Sequence, residues 1–488
     1  MVSLTDQDTH EVNVGGRGPE REEADGEGGY DTNPIIGMPP TPDEESLVIR
    51  KLDRRIMPLV FVIYSLSVLD RSNLGNAHVA GLDESIGLEG DQYAMLGTLF
   101  YVTYIIFQGA TAGWKHFPAH AWVAFVVFSF ATISASQAAV QNYGGMLVLR
   151  LLLGATEAMY SGVPVYLSFF YPRDRVGFRQ GIFLSGSALA NAYGGALGYA
   201  ITHIKSHIDP WRILFLIEGL PSLIMAVVAW FCFPDDIETA SFLTQREKQV
   251  ARYMVGRDQT ADVVAHTGLR LKDFWAAFRD WRSYLTGVMY FSCNVSFASL
   301  PLFVPAIIAE IGDFTRIQAN GLSAPPYLLT FILIILFGFV SDRLKMRGPF
   351  VCLFSLIAAV GFLLLATTEG AVPRYFGVYL AITIFVSVAI LIPWVSNSHA
   401  TESKRAGGWA IFATFGQAGP LLGTNIFPSN EAPYYRKGSW ISFSFCILVA
   451  MTSAVFSLLL YRENKRLDKA EVRNLDDESG ARRFRYII

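Results

Sequence analysis

The feature that most constrains this chain is the spacing of its apolar runs. Twelve stretches, at about 56–77, 92–112, 121–140, 146–170, 178–202, 211–233, 283–308, 322–340, 350–368, 375–396, 407–428 and 439–461, each come close to the roughly 20 predominantly apolar residues that one bilayer-spanning helix needs. Only 17% of the 488 residues are charged and 52% are hydrophobic, whereas soluble domains carry about 25% charged residues. A set of soluble domains is therefore excluded, and a net charge of −3 leaves no basic excess with which to hold nucleic acid. The expectation is an all-α integral membrane protein with 12 transmembrane helices.

The runs fall into two groups of six. Residues 1–49 read as a disordered acidic tail holding twelve acidic residues against Arg17 and Arg21. Residues 50–233 form an N-terminal six-helix half, 234–282 a polar linker, 283–461 a C-terminal six-helix half and 462–488 a second tail. Lys and Arg are several-fold more frequent in the loops after helices 2, 4, 6, 8 and 10 than in the other loops. By the positive-inside rule both termini and the linker are cytoplasmic. The halves also echo each other: Gly113 precedes Gly338 by 225 residues, and Asp174 precedes Lys404 by 230. Such offsets suggest a duplicated six-helix unit with a substrate route between the copies.

Cys232, Cys293, Cys352 and Cys446 all lie in apolar runs, and their spacing fits neither a disulfide framework nor a metal site. No cofactor or metal is expected, and no nucleophile-and-base cluster suggests an enzyme.

Chemistry is concentrated in the few charges at membrane depth, which are expensive there and usually face a partner or a water-filled route. Arg150 and Glu157 in helix 4 are seven residues apart, two turns or about 10.5 Å along one helix face, so both are expected to point into one cavity. Asp70 with Arg71 in helix 1 and Glu218 in helix 6 complete the set. By these boundaries the second half has no charge in its helices and offers polar and aromatic groups instead, among them Asn294, Tyr327, Asn397 and Gln417. Anion and proton handling thus falls to the first half, and shape and hydrogen bonding to the second. Interhelical ion pairing, for example of Asp70 or Glu218 with Arg150, remains the alternative use of the charges. Helix 5 carries Gly194-x-x-x-Gly198, a spacing that brings helices close.

The segment Gly338-Phe-Val-Ser341-Asp342-Arg343-Leu-Lys345-Met346-Arg347-Gly348 resembles the signature loop of the major facilitator superfamily. That resemblance implies a major facilitator fold, helix approach at Gly338, and a conformational latch made by Asp342, Arg343 and Arg347. Further motifs are Leu69-Asp-Arg-Ser-Asn73, Arg150-x-x-x-Gly154-x-x-Glu157, Tyr171-Pro-Arg-Asp-Arg175, Phe215-Leu-Ile-Glu218-Gly219, Ala432-Pro-Tyr-Tyr-Arg-Lys-Gly438 and Phe484-Arg-Tyr486. Together they resemble the anion:cation symporter family, fungal allantoate permease group. Phe297-Ala-Ser-Leu-Pro301 and Leu322-Ser-Ala-Pro-Pro326-Tyr327 are most similar to its nicotinic acid permeases.

The resemblance implies a multi-pass, monomeric protein of the cell membrane, or of the vacuolar membrane, that imports a small organic anion with protons. Arg150 would draw the substrate carboxylate, with Asn294, Tyr327, Asn397 and Gln417 completing the substrate site. Glu157, with Asp70 or Glu218, would carry the proton. Export of a secondary metabolite and nutrient sensing without transport are the alternative functions.

Overall fold

The computed structural model describes residues 39–201, 204, 206–256, 275–311, 314–396, 402–428, 431, 432 and 434–473. Among these residues the regular structure is entirely helical. Helix α1 is Pro42–Arg55. The first six spans are α2 (Met57–Val79), α3 (Gln92–Ile106, continued by a 3-10 segment Phe107–Ala112), α4 (Ala119–Gln137), α5 (Tyr143–Tyr160), α6 (Arg173–Ile201) and α7 (Pro210–Cys232). After the linker helix α8 (Gln245–Gly256) come α9 (Trp281–Ile311), α10 (Arg316–Leu344), α11 (Gly348–Thr367), α12 (Ala371–Ile382) with α13 (Ile384–Ser396), α14 (Glu402–Gly423) and α15 (Arg436–Arg473). All twelve apolar runs are thus mainly helical where described, the fourth and eleventh ending in turns at 168–170 and 424–428. Among the described residues, nine segments are long and apolar enough to cross a membrane by length and composition. The other three, α2, α6 and α14, contain more charge or more Gly and Ser.

Helix ends follow local chemistry. Thr41 and Glu44 form a capping box: the Glu44 amide donates to Thr41 Oγ1 at 3.3 Å and the Thr41 amide to Glu44 Oε2 at 3.0 Å. Thr315 and Gln318 do the same for α10. With Pro42 at its first turn and Val48, Ile49 and Leu52 buried, α1 begins inside the stretch expected to be a disordered tail. The boundary expected at residue 49/50 therefore moves back to Thr41. The acidic residues 43–45 that read as tail composition are favourable in a first helical turn.

Packing repeats between the halves. In the first half α2 packs on α6, α3 on α5 and α4 on α7; in the second, α9 packs on α14, α10 on α12 and α13, and α11 on α15. Each pair is the six-span translation of its counterpart. The halves meet most extensively through α6 with α10, and also through α2 with α9, α6 with α13 and α3 with α14; the same translation relates these contacts to one another except that of α6 with α13.

On the face bearing α1 and α8, the linker face, Lys51 pairs with Glu247 at 2.7 Å, Arg246 with Glu44 at 3.2 Å and Arg179 with Asp53 at 2.6 Å. Burial pushes the Glu247 carboxyl up, but its bonds to Lys51 and the Thr244 amide outweigh this and hold it below the usual range. Arg246 likewise holds Glu44 low.

The opposite face is shut by close helix approach. A Cβ at Gly75 would lie 2.5 Å from the Pro301 carbonyl oxygen, so only glycine lets α2 lie on α9 here. Tyr93 donates to the Leu302 carbonyl at 3.1 Å, and Thr98 and Thr424 hydroxyls are 2.8 Å apart. A run of aromatic contacts crosses between the halves: His78 stacks on Tyr93 at 4.2 Å, Tyr93 meets Phe303 at 6.1 Å, Phe303 meets Phe427 at 5.3 Å and Phe427 meets Tyr435 at 6.1 Å.

One compositional expectation fails here. The second half does carry a buried charge, because α12 starts at Ala371 and takes in Arg374, 1% exposed, which donates to the Tyr434 carbonyl and lies 5.1 Å from the Tyr434 ring.

Candidate functional site

Between the halves, on the linker side of these closing contacts, is a cavity of about 850 Å³ of non-atom space, open solvent included. One face of each contributing helix lines it. Helix α2 gives Tyr64, Ser67 and Arg71; α3 gives Tyr101 and Tyr104; α5 gives Glu157 and Tyr160; α9 gives Tyr290, Asn294 and Phe297; α14 gives Trp409, Phe412, Ala413, Gln417 and Pro420. Each set follows helical spacing of three, four or seven residues.

The charged centre is the Arg71–Glu157 pair. Arg71 Nη2 donates to Glu157 Oε2 at 2.8 Å and Nε to the same oxygen at 3.2 Å. The Arg71 guanidinium is also ringed by Phe100, Tyr101 and Tyr104, 5.2, 5.9 and 5.0 Å from their centroids, a favourable setting for a cation. Glu157 Oε1 has no hydrogen-bond partner among the described residues. The side chain of Glu157 is 0% exposed and that of Arg71 18%, so the arginine is the member that an incoming solute can reach.

A smaller cavity of about 460 Å³ lies toward the opposite face, lined by Arg150, Ser72, Asn191, Leu302 and Phe385 among others. Arg71, Tyr101 and Phe297 line both cavities. The expectation that Arg150 and Glu157 share one cavity is therefore corrected. Two helical turns keep them on one side of α5 but at different depths, and Arg71 stands in the wall between. Arg150 Nη1 donates to the Asp70 carbonyl at 3.5 Å, its guanidinium lies 5.7 Å from the Phe215 ring centroid, and Nε and Nη2 have no described partner.

Asp70 and Glu218 line neither cavity. Asp70 Oδ1 accepts from Ser134 at 2.7 Å and Oδ2 has no described partner; both carboxyl oxygens of Glu218 lack one too. Being one residue from Arg71 rotates Asp70 by about 100°, away from the cavity and onto α4.

In the second half, Asn294 lines the larger cavity, but its Nδ2 donates to the Gly416 carbonyl at 3.0 Å and so ties α9 to α14. Gln417 lines it as expected. Tyr327 does not line either cavity. It is buried, its ring 5.7 Å from Phe385 and its hydroxyl without a described partner. Asn397 lies outside the described residues.

At the linker face Arg347 pairs with Asp342 at 2.8 Å, while Arg343 is exposed. Gly338 does not make the close helix approach expected of it, since a Cβ there would meet nothing within 4 Å. That contact is made instead by Gly177 at the start of α6, where a Cβ would collide with Arg347 Nη2 and lie 3.2 Å from Asp342 Oδ1. Phe178 and Phe339 meet beside it at 5.9 Å.

Arg71 is the main residue that sequence reasoning left without a role. The signal was helical phase: Tyr64, Ser67 and Arg71 occupy positions i, i+3 and i+7 of one polar face.

Two duplicated helical halves around a polar cavity at membrane depth describe a multi-pass membrane transporter. The family model described as Major Facilitator Superfamily matches residues 60–424, and the chain belongs to that superfamily. Its relatives include the high-affinity nicotinic acid transporter of Saccharomyces cerevisiae, 32% identical over 88% of this chain and 81% of that protein. The major facilitator-type transporter hxnP of Emericella nidulans is 28% identical over 91% and 94%. Among solved structures, the proton:xylose symporter XylE bound to 6-bromo-6-deoxy-D-glucose superposes with a TM-score of 0.63 at 13% identity, over 82% of this chain and 95% of that one. An inward-facing, unoccupied bacterial homolog of the human lysosomal transporter Spinster gives 0.59 at 14%, over 86% and 97%. At such identities these structures speak for the fold alone.

Proposed function

We propose that the protein is a proton-coupled carrier that takes up a small organic carboxylate, of the size and kind of nicotinate, by alternating access of its two halves. The observation that carries this reading is the Arg71–Glu157 ion pair in the wall of the larger cavity. Relatedness to a nicotinic acid transporter supports the substrate class.

The coupling follows from charge. One guanidinium can neutralise one carboxylate, and an uncompensated charge at membrane depth costs several kcal/mol. In the empty carrier Glu157 holds Arg71. When Glu157 takes a proton, Arg71 is released to a substrate carboxylate, and the site is again neutral. Anion alone or proton alone leaves a net charge, so the neutral states, empty and doubly loaded, are those that cross between the two faces. Arg71 thus takes the anchoring role first expected of Arg150, and Glu157 carries the proton. Asp342 with Arg347, against Gly177, latches the linker face, and the excess of Lys and Arg in the loops on that side supports its being the cytoplasmic one. The carrier acts as a monomer in the cell membrane.

The test is uptake of labelled nicotinate by cells lacking their own carrier, at two external pH values and with a protonophore. Uptake that rises in acid and collapses with the protonophore is expected. Efflux of preloaded label down its gradient with no pH-stimulated uptake would favour an exporter.

A further inference from the structure

The larger cavity has one lining amide with no hydrogen bond at either of its atoms, although Gln108 Oε1 is also without a partner among the described residues. Of the amides that line it, Gln108 Nε2 donates to Ser161 Oγ at 2.8 Å and Asn294 Nδ2 to the Gly416 carbonyl at 3.0 Å. Gln417 lines the same cavity from α14 and has no hydrogen-bond partner among the described residues. Its surroundings are flat and aromatic: Tyr290 and Phe412 are parallel within 5° at 4.2 Å, and Trp409 lies 5.2 Å from Phe412. The two rings are held there because Gly416, the residue before Gln417, has no Cβ to displace Tyr290.

The cavity therefore offers a cation on α2, aromatic faces on α9 and α14, and a two-way hydrogen-bonding amide on the half opposite the cation. A flat ring suits the aromatic walls, a carboxylate suits Arg71, and the amide suits a polar atom elsewhere on the ring. We infer that Gln417 is a specificity-determining residue, donating its amide N–H to a ring acceptor, so that the preferred substrates are heteroaromatic monocarboxylates and not plain aryl carboxylates. This rests on the carboxylate reading above and adds which atom of the substrate the second half recognises.

The experiment compares nicotinate with benzoate, which has the same shape and carboxylate but no ring acceptor, as competitors of labelled nicotinate uptake. Wild-type protein should prefer nicotinate by about tenfold or more, the worth of one hydrogen bond in a dry site. In Gln417→Leu the two should compete within about twofold of each other, with benzoate affinity kept. A wild-type protein that does not distinguish the two overturns the inference, whether or not any variant folds. So does a Gln417→Leu protein that still prefers nicotinate as wild type does. If neither acid competes and nicotinate is not taken up, the carboxylate reading itself fails, and that result is distinct from equal competition.

Discussion

Asp70 and Arg71 are neighbours in the chain and belong to different parts of the molecule. Arg71 faces the cavity, paired with Glu157 and ringed by three aromatic side chains. Asp70 points into the bundle behind it, bonded to Ser134 and grouped with Arg150 and Glu218, whose polar atoms are largely unpartnered among the described residues. The first group faces the larger cavity, whereas in the second Asp70 and Glu218 line neither cavity and only Arg150 reaches the smaller one. Intramembrane charge is therefore not by itself a mark of the transport site; accessibility separates the two uses.

The largest effect should come from breaking the accessible pair. Arg71→Gln removes the only cation facing the larger cavity among its described lining and strands Glu157, a loss usually worth about 3–5 kcal/mol in a buried pair, so uptake should fall by about 100-fold or more at normal surface expression. Uptake within a few-fold of wild type would erase the distinction between the two groups.

Asp70→Asn probes the inaccessible group. It perturbs the buried bond from Ser134, a hydrogen bond typically worth about 0.5–1.5 kcal/mol, and should lower the thermal unfolding temperature in detergent while leaving the KM for substrate unchanged. An increase in KM at unchanged stability would place Asp70 in the transport path.

The latch offers a smaller contrast between the faces. Gly177→Val puts a side chain against Arg347 and Asp342. A cysteine at the neighbouring linker face should then react several-fold faster with a water-soluble reagent, while one beside Gly75 on the opposite face should not.

The smallest effect lies outside the membrane. Arg246 holds the Glu44 carboxyl below its ordinary value of 4.5. A carboxylate depressed in the folded state contributes stability above its unfolded value and loses it as pH falls through the folded one. Docking of α1 should therefore hold at neutral pH and loosen below 4.5, modestly because the pair is exposed. Thiol labelling of Val48→Cys, whose native side chain is buried, should speed up in acid, and Glu44→Gln should reproduce part of that change at neutral pH.

The helical architecture could be read from the chain because each span announces itself by an unbroken apolar run, and duplication by recurring loop motifs. Its limits were harder to place. Composition marked residues 42–49 as tail although Thr41, Pro42 and Glu44 spell a helix start, and Arg374 was assigned to a loop although it is buried one turn inside α12. The site was legible in part. Glu157 and Gln417 do line the larger cavity, and Arg150 the smaller one. Proposing Arg71 in place of Arg150 as the anchor requires knowing which way α2 is rotated, and that is set by its packing on α6, α7 and α9 rather than by its own sequence. Tyr327 and Gly338 misled for the same reason, since residue type suggests a role but only the neighbours decide what is in reach.

The central claim is that Glu157 competes with substrate for Arg71. Its most direct test is labelled nicotinate uptake and counterflow by Glu157→Gln across external pH. The neutral amide mimics the protonated acid, so binding and exchange of nicotinate should persist and become independent of pH, while accumulation against a gradient is lost. Accumulation in Glu157→Gln with the pH dependence of wild type would contradict the account.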